Sequence, residues 1–352
     1  MNAPGAQEAA WAHGRPPAKA VLRARAEDFE VEELPLVTPA GEGEHLWLCA
    51  RKVGRSTSEL AGALARHWGV PRRDVGFAGR KDRHADARQW FSVRLPGRHD
   101  DTPPELPGVT WVAAVRHARK LATGALRGNR FRLTLREIEG EAADLESRLE
   151  QIRTLGVPNY FGPQRFGRRG DNLAAAWRLL VEGVPERRRD LRGLLYSAAR
   201  SWCFNRVASL RVTDGSWQCL LPGELVALEG SRSVFAIEAP DATLLQRLAA
   251  FDIHPSGPLP GRTQQSPTAE CAVLELAALA ALSPLISGLA DARVEAARRP
   301  LRLRPVAMQW QWLDRGTLEL SFELPAGSYA TSVVRELCDA RDASGADLQV
   351  PA

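Results

Sequence analysis

The sequence predicts an α+β chain of two domains, one inserted into the other, on three observations. Its 352 residues exceed what one core ordinarily serves, at roughly 150 residues per domain. Alternating apolar and polar runs, the period of β-strands, occur toward both ends of the chain. Between them lies Ala-, Leu- and Arg-rich sequence of helical character.

The elements follow in order. His45 to Arg51 is a short β-prone run around Leu46, Trp47 and Leu48. Ser56 and Glu59 have the S-x-x-E spacing of a capping box, in which each side chain satisfies a free backbone N–H of the first turn. Leu60, Leu64 and Trp68 then recur at spacing four, and Gly69 supplies a stop. Phe91, Val93 and Leu95 alternate with Ser92 and Arg94 as a half-buried strand. Phe131, Leu133 and Leu135 alternate with Arg130, Arg132, Thr134 and Arg136, a strand with one apolar and one mostly cationic face. Leu145, Leu149 and Ile152 mark an amphipathic helix.

Near Pro158 the texture changes. Asn159-Tyr160-Phe161-Gly162 leads into helical sequence through about Arg206, and Gly- and Pro-punctuated sequence follows around 215–230. Asp252 to Pro267 reads as a long loop because of its prolines and glycines, and helix resumes from Thr268. Met308, Trp310 and Trp312 then alternate with Gln309 and Gln311 before the turn Asp314-Arg315-Gly316. Leu318, Leu320, Phe322 and Leu324 alternate with Glu319, Ser321 and Glu323. After Pro325-Ala326-Gly327 a helix begins near Ser328, with Val333, Val334 and Leu337 as its apolar stripe.

Lys+Arg 47 against Asp+Glu 42 leave a net charge of +5, which as an average speaks only for solubility. Only Lys19, Lys52, Lys81 and Lys120 are lysines; the other basic residues are arginines, whose planar fork suits phosphate. The five cysteines form no C-x-x-C pair, which speaks against a cysteine zinc site and a disulfide scaffold. Met1 to Pro17 lacks a signal-peptide apolar core. Cys271 to Leu282, interrupted by Glu275 and followed by Pro284, reads as too short and broken to span a bilayer. A soluble, cytoplasmic protein in a reducing compartment is expected.

The densest site-like stretch is Phe77-Ala78-Gly79-Arg80-Lys81-Asp82-Arg83-His84-Ala85. Cationic neighbours favour an ionised Asp82, an acceptor or nucleophile and a poor proton donor. A solvated surface turn is the plain alternative. A metal held by Asp82, His84 and Asp86 is a third reading, opposed by the surrounding cations. Between Leu106 and Arg136 there is no acidic residue, while Arg116, Arg119, Lys120, Arg127, Arg130, Arg132 and Arg136 fall within it, a surplus of seven. Such one-signed clustering reads as polyanion binding. Arg165, Arg168 and Arg169 beside Phe161 and Phe166 add a weaker signal for stacking on unpaired bases, since aromatics so spaced are more often core. There is no G-x-x-x-x-G-K-[ST], no G-x-G-x-x-G behind a strand and no G-x-S-x-G. Two classes remain: an RNA-acting enzyme with carboxylate catalysis, and a non-catalytic RNA-binding protein.

Several segments carry a resemblance. They include Asp28-Phe29-x-Val31-x-Glu33, Gly41-Glu42-Gly43-Glu44-His45, Phe77-Ala78-Gly79-x-Lys81-Asp82-x-His84-Ala85 and Gly128-Asn129-x-Phe131. Further along come Gly156-Val157-Pro158-Asn159-Tyr160-Phe161-Gly162-x-Gln164-Arg165-Phe166-Gly167 and Ser197-Ala198-Ala199-Arg200-Ser201. The last are Val294-Glu295-Ala296-Ala297-Arg298-Arg299 and the run from Leu324 to Leu337. In these blocks, spread in order over nearly the whole chain, the sequence resembles the tRNA pseudouridine synthase D (TruD) family.

The resemblance implies isomerisation of uridine to pseudouridine in tRNA, characteristically at position 13 in the D arm, with no cofactor and no metal. It implies a pseudouridine-synthase catalytic domain, a mixed and largely antiparallel sheet with flanking helices, with an inserted TruD-specific α/β domain. The split would be 1–155 and 305–352 for the catalytic part and 156–304 for the insertion, with RNA in the basic cleft between them. Asp82 matches the catalytic aspartate and acts as nucleophile, attacking C1′ or C6 or taking a proton from C2′; the residues do not choose among these. Phe29, Asn129, Phe131 and Tyr329 match substrate-binding positions. Arg80, Lys81, Arg83, Arg119, Lys120, Arg127 and Arg165 are expected at the RNA backbone. The partner implied is tRNA, engaged by a monomer with no obligate protein partner and no membrane. The chain departs from the family pattern in two places. Arg23 stands where relatives commonly have lysine and is expected to be the charge partner of Asp82. Tyr329 stands where some have phenylalanine; its ring can still stack, and its hydroxyl needs a partner.

Overall fold

The computed structural model of the chain describes residues 8–345 apart from His99, Arg168, Arg169, Thr263 and Gln264. The first part of the chain supplies β1 (Lys19–Leu22), β2 (Phe29–Pro35), β3 (His45–Lys52), helix α1 (Thr57–His67) and β4 (Val75–Phe77). It continues with β5 (Asp86–Arg94), β6 (Val109–His117), β7 (Leu126–Glu139) and helix α2 (Ala142–Leu155). After β8 (Val157–Pro158) come helices α3 (Asp171–Leu180) and α4 (Arg189–Thr213), then β9 (Leu225–Leu228), β10 (Val234–Ala236) and α5 (Ala242–Ala249). β11 (Ile253–Leu259), α6 (Ala269–Leu279), α7 (Ser283–Asp291), β12 (Ala297–Pro300) and β13 (Arg302–Leu303) follow. The chain ends with β14 (Val306–Asp314), β15 (Thr317–Pro325), α8 (Ala330–Leu337) and β16 (Asp339–Asp342).

A ten-stranded sheet runs β14-β15-β7-β2-β5-β3-β6, with β1 on the far end of β7, β16 beside β1, and β4 on β5. Within it only β2–β5 and β1–β16 are parallel. Sequence from both ends of the chain therefore builds one sheet. A smaller sheet, β10-β9-β11-β12, belongs to the middle of the chain.

Local chemistry explains the elements that matter. The capping box forms: the Glu59 N–H donates to Ser56 Oγ at 3.2 Å, and the Ser56 N–H to Glu59 Oε2 at 2.9 Å. α1 then buries Leu60 and Leu64 against Leu46, Leu48, Phe91 and Val93. α2 and α8 cover another face of the large sheet, placing Leu145, Leu149, Ile152, Val333, Val334 and Leu337 against the apolar faces of β7 and β15. Each such side chain contributes about 1.5–3 kcal/mol when fully buried. Trp310 and Trp312 share a face of β14, and both donate Nε1–H to the Glu146 carboxylate at 2.7 Å, pinning the strand to α2. The first described residues bridge the two cores. The Ala10 N–H donates to Ser209 Oγ on α4, and the Ala12 N–H to Glu336 Oε2 on α8, both at 2.9 Å.

Three expectations need correction. Ser92 on β5 is fully buried, because residues 119–126 cover that face and the Ser92 hydroxyl accepts the Leu121 N–H at 2.9 Å. The stretch 252–267 is not all loop: it contains β11. That strand pairs with β9 over Ile253 to Pro255 and with β12 over Ser256 to Leu259. Each half thus carries its ladder on one edge, which tolerates Pro255 and Pro258. Gly257 is needed where a Cβ would come within 3.0 Å of the Phe204 ring. Finally, Ala269 to Asp291 forms one continuous helical run of 23 residues, long and apolar enough by length and composition to cross a membrane. Pro284 does not break it because it sits in the first turn of α7, where it forfeits no intrahelical bond. One face of the run packs into the core, while Val273 and Leu276 on it are exposed. Leu282, Leu285 and Leu289 pack with α3 and α4 side chains, and buried Glu275 is ion-paired to Arg298.

Candidate active site

The site is built around the loop between β4 and β5. Gly76 on β4 lets the 119–126 segment approach, since a Cβ would meet the Leu121 carbonyl at 2.3 Å. The Gly124 N–H closes on the Ala78 carbonyl at 2.7 Å. A buried polar network then holds the loop from below. The Lys81 N–H donates to Thr57 Oγ1 and Thr57 Oγ1–H to Gln89 Oε1, both at 2.9 Å, while Gln89 Nε2 donates to the Gly79 carbonyl at 2.7 Å. Lys81 Nζ lies 2.7 Å from Glu33 Oε1, with both side chains almost fully buried. Lys81, expected at the RNA backbone, instead points inward to neutralise Glu33. Breaking such a pair costs about 3–5 kcal/mol.

Asp82 emerges at the top of this loop with its side chain 26% exposed. Oδ1 accepts the His84 N–H at 3.0 Å, and Oδ2 has two looser partners at 3.5 Å, Arg23 Nη2 and Gln164 Nε2. Arg23 follows β1 with a left-handed φ of +57°, a conformation that costs a non-glycine residue about 1–2 kcal/mol. It brings the guanidinium over the Phe29 ring at 4.0 Å, with Nη1 on buried Asp342 of β16 and Nη2 toward Asp82. Arg23 thereby joins two carboxylates, as the expected charge partner and more. Gln164 lies in a segment that carries the resemblance, yet neither it nor Asp342 was given a role by it.

A cavity of about 1200 Å³ opens here, lined by Arg80, Asp82, His84, Gln164, Thr331 and Arg341 among others. Its volume accommodates an unstacked nucleotide. The four positions expected to bind substrate are not among the residues lining this cavity, and they fall into two groups. Tyr329 precedes α8 and is half-buried. Its hydroxyl accepts from Arg165 Nη2 at 2.8 Å, and its ring lies 6.2 Å from that of Phe161. Asn129 on β7 stands opposite Glu33, and its buried Oδ1 has no hydrogen-bond partner among the described residues. Phe29 and Phe131 are instead 6% exposed; Phe29 supports Arg23, and Phe131 packs edge-on to Phe29 and beside Phe322. Asp86 pairs with Arg51 and not with the Asp82 loop. Among the described residues no three His, Cys, Asp or Glu side chains are grouped to hold a metal.

The basic run looks different in space. β7 lies between β2 and β15, and the register sets Arg130 opposite Glu32 and Glu323, and Arg132 opposite Glu30. Arg130 and Arg132 make those pairs, Arg127 reaches Glu323, Arg136 takes Asp28 and Arg116 takes Asp101. Arg119 has no carboxylate partner among the described residues, and Lys120 donates to the Arg73 carbonyl. The surplus of seven is thus largely cancelled by acids from other strands. Arg83, exposed, pairs with Glu59, and Arg80 is exposed at the cavity.

A second set of arginines has no carboxylate partner among the described residues. Arg165 contacts Ser197 Oγ at 3.0 Å and the Tyr329 hydroxyl. Arg200, one turn along α4 from Ser197, donates to the Leu259 carbonyl at 3.2 Å. Arg299 lies 4.2 Å over the Phe161 ring and donates to the carbonyls of Asn159 and Gly327 at 3.1 Å. Burial lowers the Arg299 pKa to about 10, with nearby Arg165 adding repulsion. Arg168 and Arg169 lie outside the described residues.

The profile of the family described as tRNA pseudouridine synthase D (TruD) matches residues 8–187 and 172–337. A protein of Xanthomonas axonopodis pv. citri named tRNA pseudouridine synthase D is 46% identical over 364 residues, covering 97% of this chain and 97% of its own length. One of the same name from Hydrogenovibrio crunogenus is 44% identical over 334 residues, covering 94% of this chain and 96% of its own. Among solved structures, one from Methanosarcina mazei assigned to tRNA pseudouridine synthase D superposes with a TM-score of 0.70 at 21% identity, over 93% of this chain and 95% of that one. This last likeness establishes a shared fold.

Proposed function

The chain belongs to the tRNA pseudouridine synthase D family, and on that premise we propose that it isomerises uridine 13 of tRNA to pseudouridine through Asp82. The observation carrying this reading is the Asp82 carboxylate lining a nucleotide-sized cavity, set between Arg23 and Gln164. The reaction breaks the N1–C1′ bond, turns the bound uracil and joins C5 to C1′, after which the C5 hydrogen leaves to water and N1 is protonated. Oδ1 is fixed by the His84 N–H, so Oδ2 is the oxygen that reacts, whether at C1′, the C2′ proton or C6. Positive charge developing on the sugar is stabilised by a carboxylate, as in glycoside chemistry. Asn129 Oδ1, buried with no partner among the described residues, is the acceptor we assign to the uracil imide N–H; leaving such a group unsatisfied costs about 1–3 kcal/mol. The protein acts in the cytoplasm as a monomer without cofactor, its catalytic domain formed by 1–155 and 305–352 around an insertion of 156–304.

The test is tritium release from tRNA transcripts carrying C5-tritiated uridine. Release stoichiometric with one uridine, lost when uridine 13 is replaced by cytidine, is the expected result; no release from any folded tRNA would sink the reading.

The RNA backbone follows the unpaired arginines. Arg165→Gln and Arg200→Gln are each expected to weaken tRNA binding and to reduce the slope of log K against log salt by about 1. Arg130→Gln and Arg132→Gln, whose charges are already met by glutamates, are expected to leave that slope unchanged. Salt titrations of the four variants check this directly, and equal slopes would show that the pairing does not decide the path.

A further inference from the structure

Beneath the loop that carries Asp82 lies a lysine that neither motif nor charge run singles out. Lys52 is the last residue of β3, and none of its surface is exposed. Its Nζ donates to the carbonyl of Arg55 at 2.7 Å and to the carbonyl of Asp82 itself at 2.9 Å. It makes no ion pair of its own among the described residues. The charged groups facing it are Asp82 and Lys81 from the loop, Glu33 from β2 and Glu59 from α1. Lys81 and Glu33 neutralise each other, and Glu59 is engaged by Arg83 and the N-cap of α1. Asp82, met only loosely by Arg23 at 3.5 Å, is the largest of the negative charges acting on Lys52. The chain otherwise uses arginine almost everywhere, yet here a compact ammonium fits between two carbonyls where a guanidinium fork is bulkier.

We propose that Lys52 is a positioning residue for the reaction, holding the Asp82 backbone in register with Arg23 and placing a positive charge under the catalytic loop. Resting on the function proposed above, this assigns the pH dependence of that same site. Burial lowers the Lys52 pKa from its ordinary value to about 8, with the negative charge of Asp82 opposing the shift. The ammonium is therefore present below about 8 and is lost as pH rises through that value. A neutral amine keeps two N–H donors, enough for both carbonyls, so the geometry survives while the charge does not.

The measurement is kcat/KM for tritium release between pH 6 and 9.5, for the unaltered protein, Lys52→Arg and Lys52→Met, with tRNA affinity measured in parallel. The unaltered protein is expected to lose activity on an alkaline limb near 8. Lys52→Arg, which does not titrate in this range, is expected to move that limb upward by a unit or more while retaining measurable turnover. Lys52→Met is expected to lower kcat by on the order of 10²-fold, as misplacement of a reacting group by about an ångström does, with tRNA affinity within about threefold. The uracil imide of the substrate titrates in all three alike and so cancels from the comparison. An alkaline limb at the same pH in Lys52→Arg as in the unaltered protein would overturn the assignment, even if Lys52→Met failed to fold. So would a Lys52→Met protein with full kcat. Absence of turnover in the unaltered protein would instead condemn the function proposed above.

Discussion

Asp82→Asn is expected to abolish tritium release, lowering kcat by more than about 10³-fold, while tRNA affinity stays within about threefold. The amide is isosteric with the carboxylate, so the loop anchors at Thr57, Gln89 and Lys52 remain. The His84 N–H can still be met by the amide oxygen. What disappears is the anionic oxygen that faces Arg23 and Gln164. Binding should persist because Arg165 and Arg200, the arginines proposed to meet the backbone, lie on other elements. Single-turnover assays at saturating enzyme separate the two quantities. Turnover within tenfold of the unaltered protein would mean that another group carries the chemistry.

Arg23→Gln is expected to produce the second largest loss, and to do so in two currencies at once. Its guanidinium serves Asp82 at one end and Asp342 at the other. The Asp342 side chain is completely buried, with Ser344 as its remaining partner through N–H and hydroxyl at 2.9 and 2.6 Å. Removing the cation strands a buried carboxylate, at about 3–5 kcal/mol in a denaturant titration, and should cost on the order of 10²-fold in kcat. Asp342→Asn separates these effects. Combined with Arg23→Gln it should restore most of the stability and none of the activity, a non-additive cycle of the kind that contacting residues show. Recovery of both would show that Arg23 serves only the fold. Arg23→Lys, by contrast, keeps one charge and is expected to retain most turnover.

Much of the fold was legible because local rules and tertiary structure agree. The capping box at Ser56 and Glu59, the alternation in β7 and β15 and the stripe of α8 each formed where their periods placed them. β11 was hidden because Pro255 and Pro258 speak for a loop, and only the staggered pairing of β9 and β12 makes them admissible. Pro284 misled in the same way. The Asp82 loop was visible from its residues, but the reading of its cations was not. Lys81 looked like a phosphate contact until β2 supplied Glu33. The run through Arg136 looked unopposed because its acids, Glu30, Glu32 and Glu323, are distant in sequence and adjacent in the sheet. Charge counted along a chain does not foresee charge counted across a sheet. For Lys52 the one available signal was rarity, a lysine in a chain that has four.

The pairing of β1 with β16 has a consequence for how the protein comes into being. Lys19 to Leu22 align with Asp339 to Asp342, so this contact closes a loop of nearly the whole polypeptide. Contacts of such separation form late, after more local units have condensed. A chain emerging from the ribosome can assemble the helical middle first, since domains tend to fold as they are made. Arg23, immediately after β1, cannot meet Asp342 until synthesis has passed residue 342. An unfinished chain therefore holds the Asp82 loop without the Arg23–Asp342 pair beside it. The support that Arg23 gives Asp82 is therefore among the last contacts to form.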